Sequence, residues 1–115
     1  MLIIFFSFLY SIVSILPDVL QSAKNGYLTP FHLCHYGSFA IRGVGLIIVE
    51  MTNVMPNGRI TMGCSGIWSN DHIGPLKEIV QTVHGLGSKI GIQIAHAGRK
   101  VLQYLMHINT QYIQF

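Results

Sequence analysis

The chain has 115 residues, enough for one small domain with a core but well short of the roughly 250 that a complete eight-fold α/β barrel takes. Hydrophobic residues make up 50% and charged residues only 10%, whereas an ordinary soluble domain carries charge on about a quarter of its residues, so the chain is expected to be poorly soluble alone. Its formal charge of +3 comes from seven Lys and Arg against four acids, spread thinly with no basic run or interleaved aromatic patch, which excludes nucleic acid as a partner.

The first sixteen residues, MLIIFFSFLYSIVSIL, are almost continuously apolar and precede Pro17 without a single Lys or Arg. Signal peptides carry a basic n-region and membrane spans take about 20 apolar residues, so the segment falls short of both templates. Two readings stand here. One is a targeting or anchoring segment of a small membrane-associated or secreted protein; the other is a truncated or misassembled reading frame.

Thr29 is placed to cap a helix, and Pro30 fits its first turn, where a missing N–H does no harm. Leu33, Tyr36, Gly37 and Ala40 recur at i, i+3, i+4 and i+7, and Gly43 offers a left-handed stop, which predicts a helix over 30–42. His32 and His35 lie three apart on it, a spacing open to metal. With no nearby carboxylate or thiolate, they read as packing and capping residues.

Gly45 opens the run LIIVE over 46–50, a β-branched and aliphatic stretch without alternation that predicts a strand covered on both faces, as in parallel sheets. A loop with Asn53, Pro56, Asn57, Gly58, Gly63 and Gly66 follows, long enough to be functional. A second helix, starting between Ser69 and Pro75, carries Leu76, Ile79, Val80 and Val83 on one face and stops at Gly85 or Gly87. The strand Lys89–Ala95 repeats the buried pattern, completing a βαβ unit whose crossover should be right-handed. It runs into a polar tip of Gln93, His96, Arg99 and Lys100, and the working residues of parallel barrels cluster where strands end. The tail over 101–115 fits a short helix or a strand equally.

A free-standing nucleotide-binding βαβ unit is excluded, because Gly43-Val44-Gly45 precedes its strand and no GxGxxG turn follows one. Cys34 and Cys64 lack CxxC spacing and read as buried or idle thiols in a reducing compartment.

Three stretches carry a resemblance: HLCHYGSFAIRGVGLIIVEMT, PNGRITMGCSGIWSNDHIGPLKEIV and GIQIAHAGRK. Over 28–100 the chain resembles the opening part of a flavin-dependent ene-reductase of the Old Yellow Enzyme type, in its NADPH dehydrogenase branch. The resemblance implies an α/β fold, a partial TIM (β/α)8 barrel of the first two to three βα units. It divides the chain into an apolar segment over 1–27, barrel over 28–100 and an unmatched tail over 101–115. The Pro-Met-Cys-type motif of the family's first strand has no match.

By the same resemblance Gln93 hydrogen-bonds the pyrimidine edge of FMN, a task suited to an amide with both donor and acceptor. Met51 stands where the family has a small residue whose backbone lies against the flavin, and Phe39 stands where it has an arginine. His96 and Arg99 keep the family pattern and brace the strand end, while Trp68 serves packing. The implied reaction moves a hydride from NADPH through FMN to an enone-type small molecule, in the cytoplasm. The carbonyl-holding histidines, assisting tyrosine and phosphate-holding arginines belong to later strands. The resemblance therefore implies a fragment without catalytic or metal-binding residues of its own, inactive alone and prone to aggregate or form oligomers.

Overall fold

The computed structural model describes residues 22–98 and the backbone of Val13–Ser14. The rest of the apolar amino-terminal segment, Arg99, Lys100 and the tail over 101–115 lie outside the described residues. In chain order come β1 (Val13–Ser14), α1 (Pro30–Ile41), β2 (Leu46–Asn53), β3 (Ser65–Gly66), α2 (Ile73–Gly85) and β4 (Lys89–Ala95), with short 3-10 turns at Pro56–Gly58 and Asn70–His72.

The same device starts both helical segments. Thr29 precedes α1 in an extended conformation, and its N–H donates to Nδ1 of His32 at 3.0 Å. Ser69 precedes the turn that leads into α2, and its N–H donates to Nδ1 of His72 at 3.3 Å, while its Oγ accepts from the N–H of Asp71. In each case an imidazole three residues on does what Glu or Gln does in a capping box. His32 thus caps the helix, as its sequence position predicts. Among the described residues no group of three His, Cys, Asp or Glu could hold a metal ion.

Both helices also stop alike. The N–H groups of Gly43 and Val44 bond the carbonyls of Ala40 and Phe39, and those of Gly87 and Ser88 bond the carbonyls of His84 and Val83. Gly43 and Gly87 have φ of +80° and +88°. These are Schellman stops, which need a residue in the left-handed region and favour glycine there. The second helix therefore has Gly85 as its last residue and Gly87 as its left-handed stop.

The pairings among the described strands are all parallel. β2 is central: β4 pairs with it from Leu46↔Lys89 to Asn53↔Ala95, while β1 pairs at Ile47 and Ile48 and β3 at Thr52 and Asn53. β2 runs three residues past the predicted end at Glu50, because Thr52 and Asn53 find partners on both sides. α1 and α2 pack on one face of this sheet, enclosing Leu28, Tyr36, Ala40, Ile47, Val49, Ile79 and Val83, with Leu76, Ile90 and Ile92 against them.

The apolar runs predict cover on both faces of the strands, and here the structure differs. In β4, Gln93 and Ile94 are exposed, and Ile94 keeps 60% of its surface. The helices cover one face only, and among the described residues nothing pairs with the far edge of β4. Among the described residues no helix is long and apolar enough to cross a membrane. Cys34 is exposed, Cys64 is half-buried, and both are free thiols.

Burial separates two isoleucines of α2: Ile79 retains 2% exposure and Ile73 retains 57%. Ile79→Ala is expected to cost about 2–5 kcal/mol through lost transfer energy and a cavity, and Ile73→Ala within about 0.5 kcal/mol. Urea unfolding of the two variants checks the contrast.

Candidate cofactor site at the strand ends

The ladder between β2 and β4 contains one irregularity. Val49 pairs with Ile92 and Met51 with Gln93, leaving Glu50 as an extra residue in β2. A bulge of this kind takes one residue off the ladder and re-aims those after it. Its outcome is that Met51 and Gln93, both singled out in the sequence, stand directly opposite each other.

They stand on the face away from the helices. Ile90 and Ile92 pack into the core, so Gly91 and Gln93 point the other way by the two-residue period of a strand. A Cβ at Gly91 would lie 3.1 Å from Cδ1 of Ile48, so glycine keeps this face low. Gln93 is exposed, and among the described residues its amide has no hydrogen-bond partner. An unengaged donor and acceptor beside a low surface fits the edge of a planar ring that alternates the two.

The bulged Glu50 is 3% exposed, and side chains satisfy its backbone. Its N–H donates to the Tyr36 hydroxyl at 3.1 Å, and its carbonyl accepts from the Thr52 hydroxyl at 2.8 Å. Its Oε1 accepts from the Ser65 hydroxyl at 2.6 Å and lies 3.3 Å from Nε2 of His32. Because Nδ1 of His32 accepts from Thr29, Nε2 is left to carry the proton and donate. Asn53 closes the group, donating through Nδ2 to the Ser65 carbonyl at 3.1 Å. Oε2 of Glu50 and Oδ1 of Asn53 are buried, with no hydrogen-bond partner among the described residues.

Sequence reasoning missed this cluster. The available signal was Glu50 itself, one of only four acids, closing four aliphatic residues where a buried carboxylate needs partners. Two further groups feel it. Burial pushes the Tyr36 hydroxyl far above the usual tyrosine range, and the Glu50 charge adds to this against the opposing effect of the Glu50 N–H bond. Burial also lowers the pKa of His35, against the opposing charge of Glu50 and with a further lowering from His32.

The loop after β2 folds back over the strand end. The Ala97 N–H donates to the Gly58 carbonyl at 2.8 Å, and a Cβ at Gly58 would meet Cδ2 of His96 at 2.6 Å. His96 is thus set against the loop, while Arg99 lies outside the described residues. Trp68 packs in a slot where Gly26 and Gly66 pass too close for side chains, with the Arg59 guanidinium 5.1 Å from its ring centre and His72 edge-on at 4.7 Å. Phe39 packs against the core, its ring edge-on to His35 at 4.9 Å.

Residues 16–111 match the model of the NADH:flavin oxidoreductase / NADH oxidase family. The chain belongs to this family. The match extends past the quoted motifs at both ends. The NADPH dehydrogenase of Bacillus subtilis is 58% identical over 77 residues, covering 67% of this chain and 23% of that enzyme. An NADH:flavin oxidoreductase of Gibberella zeae is 51% identical over 79 residues, covering 69% and 19%.

Among solved structures, morphinone reductase superposes with a TM-score of 0.66 at 30% identity, over 75% of this chain and 23% of its own. An old yellow enzyme homologue from Zymomonas mobilis gives 0.61 at 26% identity, over 71% and 23%. The fold is accordingly a partial TIM (β/α)8 barrel, and the chain spans about a quarter of the length of the flavin oxidoreductases it matches.

The lowered pKa of His35 has a directional consequence. Below its ordinary value of 6.5, the unfolded chain takes up a proton that the folded chain refuses, so stability falls as pH drops from there toward the folded value. Urea unfolding between pH 7 and 5 should show a shallower loss for His35→Gln than for the unmodified chain. Equal slopes would contradict it.

Proposed function

We propose that residues 28–100 form part of the FMN-binding wall of an NADPH dehydrogenase, and that the chain alone transfers no hydride. The observation that carries this reading is the register pair Met51↔Gln93 on the uncovered face of the sheet. Membership of the flavin oxidoreductase family supports it. When bound, FMN supplies hydride transfer between NADPH and an activated alkene such as an enone.

The residues of this chain bind and orient. Gln93 offers its amide N–H and carbonyl to the pyrimidine edge of the ring. The backbone of Met51 borders the ring from β2, and its flexible thioether has to swing aside to admit it. By resemblance to the family, the groups that clamp a substrate carbonyl and hold the FMN phosphate belong to later strands. The stretch proposed here supplies a wall without a proton donor, and the setting is the cytoplasm.

Titration of the chain with FMN, followed by quenching of flavin fluorescence, tests the reading. Gln93→Leu should weaken binding about tenfold, the value of one or two lost hydrogen bonds. NADPH should not be consumed when FMN and an enone are added. Unchanged FMN affinity in Gln93→Leu, or steady NADPH oxidation by the chain alone, would sink the proposal.

Among the described residues the far edge of β4 is unpaired and Ile94 is exposed, a template for pairing with another chain. The isolated chain is expected to run as oligomers or aggregates in size-exclusion chromatography with light scattering. A monodisperse monomer with a cooperative melt would refute this.

A further inference from the structure

The bulge in β2 poses a problem of accounting. Removing Glu50 from the ladder strands a buried N–H, and a buried donor left unmade costs about 1–3 kcal/mol. Tyr36, at 0% exposure on α1, supplies the acceptor at 3.1 Å. The neighbouring register would place Glu50 opposite Gln93 and Met51 opposite Ile94. A slip of one residue turns every following side chain to the other face, which would carry Met51 toward the helices and away from Gln93.

We propose that Tyr36 is a positioning residue for the cofactor wall: by accepting the N–H of the bulged Glu50, it holds β2 in the register that sets Met51 opposite Gln93. Thr52 at the Glu50 carbonyl, with Ser65 and His32 at Oε1, complete the clamp. Tyr36 lies on the helix side of the sheet and acts through the strand. The assignment rests on the reading of Met51 and Gln93 as neighbours of FMN.

Register is measurable without flavin. Adjacent strands lie about 4.8 Å apart, within the span of a disulfide, so the double substitution Met51→Cys, Gln93→Cys should cross-link under mild oxidation. Peptide mass mapping separates this link from any involving Cys34 or Cys64. Adding Tyr36→Phe should lower the cross-link yield several-fold and speed exchange of the Glu50 amide on the order of tenfold, with a cooperative melt retained. A merely structural role would lower the melting point and leave the yield intact; an unchanged yield overturns the proposal.

If Tyr36→Phe does not fold, the unmodified chain decides. A Glu50 amide exchanging as slowly as that of Ile47 supports the clamp, and one exchanging freely overturns it. A sound clamp in a chain whose FMN binding ignores Gln93 would sink the functional reading and leave the clamp standing. Gln93-dependent binding with a yield indifferent to Tyr36 would do the reverse.

Discussion

One buried carboxylate ties the layers of this sheet together. Glu50 leaves the β2 ladder and meets Tyr36 and His32 from α1, Thr52 from its own strand and Ser65 from β3. A charge in a helix–sheet interface is costly unless hydrogen-bonded, so the sequence commits hydroxyls and an imidazole from three elements to one residue. Hydrophobic packing between α1 and β2 is non-directional and would tolerate small slides; the polar group at the end of the strand is directional and would not. Its geometry passes to the other face of the sheet, where Met51 meets Gln93.

His32 couples this cluster to the start of the helix. One ring nitrogen satisfies the N–H of Thr29 and the other faces Glu50. His72 repeats the arrangement, joining Ser69 at the α2 side to the carbonyl of Asn25 at 3.2 Å. Each imidazole uses both nitrogens, so the entry of each helix is bonded to a separate part of the chain. With Schellman stops at the far ends, helix length is specified locally while helix placement is specified by these histidines.

Much of this was legible in the sequence. The apolar spacing of Leu33, Tyr36 and Ala40, and of Leu76, Ile79 and Val83, locates both helices, and Thr29, Pro30 and Gly43 mark the ends of the first. The aliphatic runs locate β2 and β4. Gln93 was legible from pattern as part of the polar tip of its strand, but its role toward the flavin, and Met51 altogether, came from resemblance. The bulge was hidden because LIIVEMTN lacks the alternation from which a register break could be read. Tyr36 was legible as core, but a hydroxyl's partner 14 residues away leaves no trace in periodicity. Continuous apolarity also overstated burial, because it records what a completed sheet would cover.

Trp68 is the only tryptophan in the chain, and it sits where the loop after β2, the start of α2 and the turn around Gly26 converge. Its indole faces a guanidinium on one side and an imidazole edge on another. Any undocking of that loop would rehydrate the ring and move the two polar groups away from it. The protein thus carries its own optical reporter, whose emission follows the loop beside the strand ends without a label and without a contribution from any other indole.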